Sequence, residues 1–198
     1  MSAREEILAA VRRATEAADK SQVQVPRSHR ERPAREGVVD LFVDRVEDYR
    51  AVVERCADAE VAARVAAALG KAVKVLVPDG FAWPVPSGAR DTGFTAHELD
   101  GFDAVVTGAT LGIAETGTIV LTHGPGEGRR ALTLVPDLHV CVIRADQVLA
   151  DVPAAVAALD PTRAQTWVSG PSATSDIELD RVEGVHGPRR LHVIVVDG

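Results

Sequence analysis

Three short stretches of the 198-residue chain combine reactive side chains with glycine. In Gly112-Ile113-Ala114-Glu115-Thr116-Gly117-Thr118, one carboxylate stands among small and apolar residues, and Gly112 and Gly117 let backbone come close to a ligand. A carboxylate partly withdrawn from water titrates higher, which suits a general base, a nucleophile or an acceptor for a bound group. The plainer reading makes Glu115 the end of a strand, paired with Arg129 or Arg130. The second stretch, Val168 to Asp176, reads as a strand, a turn carrying Gly170, Ser172, Thr174 and Ser175, and a helix start. Free amides and hydroxyls there suit a carboxylate or phosphate. No Gly-Lys-Ser/Thr follows, so it is not a Walker loop. Asp176 sets a negative charge at the same point, and the plainer role of Ser175 and Asp176 is to cap the helix. In the third, Gly184 to Arg190, His186 sits on a glycine-flanked loop, a setting from which an imidazole can serve as acid, base or ligand.

Glu115 and His186 are therefore the candidate catalytic residues. Gly112, Thr116, Gly117, Arg129, Arg130, Gly170, Ser172, Thr174 and Ser175 are the candidate ligand-binding ones. The pairs Arg129-Arg130 and Arg189-Arg190 can clamp an anion or simply solvate loops. Gly124-Pro125-Gly126-Glu127-Gly128 is not a dinucleotide fingerprint, because Pro125 intrudes and no amphipathic helix follows. It reads as a lid or a hairpin tip. The histidines lack metal-ligand spacing, His139-x-Cys141 is a weak pair, and no metal site is assigned.

In an open α/β sheet, ligands gather beyond the carboxyl ends of strands, and the predicted elements put all three stretches there. Ser2 and Glu5 have capping-box spacing ahead of Ile7, Leu8, Val11 and Ala14, which predicts a helix over residues 3–18. Residues 20–37 carry Pro26, Pro33, Gly37 and five basic or imidazole side chains between Arg27 and Arg35. They read as a solvated linker, or as an arm toward an acidic partner. The main domain is expected over 38–198, with residues 1–37 as a helical appendage. Val38–Val43 reads as a strand, followed by a helix opened by Asp44 with Val46, Tyr49, Val52, Val53 and Cys56 on one face. A further helix runs from Ala59 to Leu69 and stops at Gly70. Strands are predicted at 73–77, 104–107, 119–122, 138–143, 166–169 and 191–196. A helix over 145–159 is interrupted by Pro153, and a short helix is capped by Ser175 or Asp176. Buried Val/Ile/Leu runs separated by helices predict an α/β fold: one three-layer domain with a mixed, mostly parallel sheet. The antiparallel part falls in 104–143, where crossover helices have no room.

Composition narrows the function. With 46% hydrophobic and 26% charged residues, the chain is not disordered, collagenous or a disulfide-stapled miniprotein. At this length about 70% of the unfolded surface is buried, enough for a substantial core. Against 22 basic stand 29 acidic residues, a net charge of −7, and aromatics are only 4%. Both features argue against nucleic acid as a partner. Cys56 and Cys141 form no CxxC motif, so this chain's thiols build neither an iron–sulfur nor a structural zinc site. The polar N-terminus is unlike a signal peptide, and no apolar run approaches the ~18 residues that span a bilayer. The expected compartment is the cytoplasm.

Gly112 to Leu121, Ser169 to Glu178 and Gly184 to Asp197 resemble, in order and separation, the motifs of the lactate-utilization (LUD) domain family. The resemblance covers roughly residues 38–198, and the length is similar to that of the family's small member. It implies the fold shared by glucosamine-phosphate deaminase, ribose-phosphate isomerase and CoA transferases. It implies a part in oxidising L-lactate to pyruvate with two iron–sulfur partner proteins, which would hold the redox centres; no cofactor is expected on this chain. At the turn, Ala173 stands where the family often has a basic residue, and Ser175 replaces a smaller one, which argues against strong phosphate or CoA binding there. Two alternatives are kept: a non-catalytic module that binds a small carboxylate or assembles partners, and a CoA- or nucleotide-dependent transferase with Glu115 as nucleophile.

Overall fold

The structure of the chain, a computed structural model, describes residues 2–18, 36–171 and 187–198. It falls into two units, Met1–Glu31 and Arg32–Gly198. In the first, helix α1 (Ala3–Ala14) opens with the expected capping box. The Ser2 amide donates to Glu5 Oε2 at 2.7 Å, and the Glu5 amide donates to Ser2 Oγ at 3.3 Å. The helix ends at Ala14, short of residue 18, and none of its residues is buried.

The second unit is built on a six-stranded, all-parallel sheet in the order β1 (Val52–Ala57), β10 (Arg190–Asp197), β7 (Leu138–Arg144), β4 (Ala104–Thr107), β2 (Val75–Leu76), β3 (Gly88–Ala89). Its central strands are covered on both faces, which is why they read as unbroken Val/Ile/Leu runs. On one face Val140, Val142, Ile194 and Val196 pack against Val61 and Val65 of helix α3 (Val61–Leu69). On the other, Cys141, Ile143, Val193 and Val195 pack against Phe42 and Val46 of helix α2 (Val38–Asp48).

That second face also receives Ile119 and Leu121 from a smaller sheet. The smaller sheet has the order β8 (Val148–Leu149), β5 (Leu111–Ile113), β6 (Thr118–Leu121), β9 (Thr166–Val168). Here β6 is antiparallel to both neighbours and β5 is parallel to β8. Its outward residues Leu111, Ile113 and Val120 are covered by Ala155 of helix α5 (Val152–Ala158). A fourth cluster joins Leu76, Val105 and Leu132 to Leu99 of helix α4 (Ala96–Leu99).

The α/β class and the mostly parallel main sheet agree with the sequence, but the single mixed sheet in three layers does not. The antiparallel strands form their own sheet, because the hairpin over 111–121 turns one face onto the main sheet and the other onto α5. Val38–Val43 is helical, not a strand: Phe42 and Val46, four residues apart, are the buried positions, and that spacing outweighs the β-branched run. The helix expected to continue past Asp48 stops at Tyr49. Arg50, at φ 62°, turns the chain into β1, so Val52, Val53 and Cys56 lie on a strand. The region 145–159 is a 3-10 turn, β8 and then α5. Pro153 lies in the first turn of α5, where its missing N–H is not needed, and Asp151 caps the helix by accepting from the Ala154 amide at 2.9 Å. The strand expected at 73–77 shortens to Val75–Leu76. The short helix at Ser175 and most of the 20–37 linker lie outside the described residues. Among the described residues, no helix is long and apolar enough to cross a membrane.

Candidate functional site

Thr107 and His139 are polar residues on β4 and β7, inside strands that are otherwise buried and apolar. Thr107 Oγ1 and His139 Nε2 lie 2.8 Å apart. His139 lines a cavity of about 240 Å³ whose other described lining residues come from the 3-10 turn Arg130–Thr133, from β9 and the following Ser169-Gly170-Pro171, and from Gly187 and Pro188. The ring is 1% exposed. Burial, aided by the nearby Arg130 charge, pushes its pKa from the ordinary 6.5 to about 4, so the imidazole is neutral at pH 7. With Nε2 engaged by Thr107, Nδ1 is the ring nitrogen that remains for a further contact.

Arg130 is the one charged residue among the described residues that line the cavity. Burial draws its guanidinium below the ordinary value. Nη1 donates to Thr133 Oγ1 at 3.1 Å, and that hydroxyl donates back to the Arg130 carbonyl at 3.2 Å. Among the described residues, no carboxylate pairs with Arg130. Leu132, 1% exposed, roots the turn in the core.

Residues 122–128, the glycine-rich loop, are not among the described residues that line this cavity, and Glu127, 5% exposed, ties the loop down. Its carboxylate accepts from Thr110 Oγ1 at 2.5 Å and from the amides of Thr122 and Gly124 at 2.6 and 3.3 Å. His123 Nδ1 lies 2.9 Å from the Gly128 carbonyl, which can only accept, so Nδ1 donates. His123 Nε2 holds Thr166 Oγ1 of the cavity wall at 2.9 Å.

Of the residues singled out from sequence, Arg130 and Gly170 line the cavity. Thr116 reaches its edge through a chain of hydroxyls, Thr116 to Thr118 to Ser169, each step 2.8 Å. Glu115 lies in the turn between β5 and β6, its amide donating to the Ala150 carbonyl at 3.1 Å, and does not line the cavity. Arg129 points elsewhere, donating to Asp91 at 2.6 and 3.1 Å and to the Phe94 carbonyl. That guanidinium holds Asp91 below the usual carboxylate range. Gly112 and Gly117 serve packing. A Cβ at Gly112 would lie 2.9 Å from Ile143 and 3.0 Å from Phe42; one at Gly117 would lie 2.6 Å from the Arg45 backbone. Ser172, Thr174, Ser175 and His186 lie outside the described residues, so the expected meeting of Glu115 with that turn and that imidazole falls there too. His139, Thr133 and Thr166 escaped the sequence reading. The signal for His139 was a polar side chain inside the apolar run 138–143.

The LUD-domain family model matches residues 11–196. The chain belongs to the LUD-domain family. It is 48% identical to "Lactate utilization protein C" of Deinococcus radiodurans, over 82% of this chain and 81% of that one. It is 36% identical to the protein of the same name from Halalkalibacterium halodurans, over 48% of this chain and 44% of the relative, so that match spans less than half of either. Among solved structures, the crystal structure of a DUF162 family protein from Deinococcus radiodurans matches with a TM-score of 0.68 and 41% identity, covering 83% of this chain and 99% of that one.

Within this LUD domain, Cys56 and Cys141 are buried on opposite faces of the main sheet, one facing α3 and the other α2. Burial pushes the Cys141 thiol up to about 12 and raises Cys56 as well, the reverse of an activated thiolate. Among the described residues, no group of three or more His, Cys, Asp or Glu is disposed to hold a metal ion. The LUD cavity is smaller than the ~300–1,000 Å³ that holds a drug-sized ligand. The described lining residues bring together one cation, several hydroxyls and a neutral imidazole, groups that fit a small anion.

Proposed function

We propose that this LUD domain is a cluster-free component of a cytoplasmic system that oxidises L-lactate to pyruvate, that it acts with two iron–sulfur proteins, and that it binds a small carboxylate in the Arg130 cavity. The observation that carries this reading is the 48% identity, across most of both chains, to a protein named for lactate utilization. Oxidation of lactate releases two electrons and two protons. Two buried thiols on opposite sheet faces offer no cradle for a cluster, which favours partners as the electron carriers. Kinship with the glucosamine-phosphate deaminase and CoA-transferase fold belongs to the same proposal. The transferase reading gains less from the geometry, because Glu115 is not among the described residues that line the cavity.

Deletion of the gene is expected to abolish growth on L-lactate while sparing growth on pyruvate. Affinity purification from lactate-grown cells is expected to bring down two cysteine-rich proteins. Undiminished growth on L-lactate overturns the proposal.

One observation favours a second reading, an assembly module. Helix α1 leaves Ile7, Leu8 and Val11 exposed at 64%, 41% and 53% along one stripe. That reading prevails if removing residues 1–36 stops reconstituted lactate oxidation while Arg130→Gln leaves it running.

A further inference from the structure

We infer that the cavity between β7, β9 and the turn at Arg130 is a subsite for small monocarboxylates oxygenated at C2, with Arg130 taking the carboxylate and His139 taking the C2 oxygen. The inference rests on the small-carboxylate reading above and assigns the two ends of that ligand.

Among the described residues, Arg130 brings one positive charge to the lining, which suits a ligand with one carboxylate, since a second carboxylate would meet no cation there. A planar guanidinium partly withdrawn from water, with Thr133 as its only partner among the described residues, is suited to a carboxylate. Beside it, His139 gives the ligand's other end one nitrogen, Nδ1, because Thr107 occupies Nε2. Burial keeps that ring uncharged, so it is no second anion site. Thr107 can donate to Nε2 or accept from it, and the two tautomers of His139 are thereby both satisfied. In one, Nδ1 accepts from a C2 hydroxyl; in the other, Nδ1–H donates to a C2 keto oxygen. The cavity therefore holds a 2-hydroxy acid and the matching 2-oxo acid alike. It rejects an acid with only hydrogen at C2, which leaves Nδ1 buried and unpaired. Retention of both acids suits a subunit that stands by while electrons leave toward partners.

The test is calorimetric titration of the full chain at pH 7 with L-lactate, pyruvate and propionate, with the emission of Trp167, which lines the cavity, as a second readout. L-lactate and pyruvate are expected to bind within about threefold of each other and propionate about tenfold or more weaker, the effect of one lost hydrogen bond to a buried group. Arg130→Gln is expected to weaken lactate and pyruvate by about tenfold or more without changing the unfolding temperature. His139→Leu is expected to erase the preference over propionate. Should that variant fail to fold, the ligand series on the unaltered chain decides alone. Equal binding of propionate and lactate, no binding of any of the three, or unchanged binding by Arg130→Gln overturns the subsite. If the deletion strain loses growth on lactate while the chain shows no such preference, the subsite falls and the system assignment stands. If the strain keeps growing while the chain binds selectively, the system assignment falls and the subsite stands.

Discussion

Arg129 and Arg130 are neighbours in sequence with opposite fates. Arg129 is locked to Asp91 and the Phe94 carbonyl, whereas Arg130 faces the cavity. Arg129→Ala is expected to cost under about 1 kcal/mol, as a pair with one exposed partner does, and to leave lactate affinity unchanged. Denaturant unfolding and the titration above check both halves. Gly117 is the sterner position. It combines φ 59° with Arg45 backbone where a Cβ would go, and backbone cannot swing aside as a side chain does. Gly117→Ala is expected to cost roughly 2–4 kcal/mol, read as a lower denaturation midpoint at unchanged slope.

At the scale of elements, loop 122–128 supports the cavity wall through His123 and Thr166 and is itself held by Glu127. Glu127→Gln turns an amide N–H toward donors that need an acceptor. It is expected to cost about 1–3 kcal/mol and to weaken lactate binding, because Thr166 loses its register. The same titration detects this, paired with a thermal melt. Helix α2 is pinned by Phe42, 0% exposed, against Ile143 and the smaller sheet. Phe42→Ala is expected to cost roughly 3–5 kcal/mol, part transfer free energy and part cavity. These contacts explain why the α2–β1 region departs from its local sequence preference. The β-branched run at 38–43 favours a strand locally, and only packing between two sheets selects the helix.

At the scale of the whole molecule, His139 ties stability to pH. The unfolded chain takes up its proton as pH falls through 6.5, while the folded chain resists until about 4. The unfolded state therefore binds more protons across that window. The stabilisation is full above 6.5 and is lost on acidification, by roughly 3 kcal/mol once both states are protonated. His192, lowered by burial beside Glu54, acts in the same direction. Urea denaturation at pH 7, 5.5 and 4.5 is expected to show the decline, and His139→Gln is expected to flatten part of it.

Features that depend on neighbours along the chain were legible before folding: the capping box at Ser2, the stop of α3 at Gly70, buried strands at 104–107, 138–143 and 191–196 that the structure extends by a residue or so, and the motifs that carry family membership. Each rests on local hydrogen bonding, on backbone freedom at one residue, or on a periodicity read over a few residues. Tertiary structure alone decided that the antiparallel strands separate into a second sheet, that Arg129 is engaged while Arg130 is left to the cavity, and that Thr107 and His139 meet. Those outcomes turn on groups more than thirty residues apart whose juxtaposition is set by strand order and by which face each side chain takes. No local spacing encodes that.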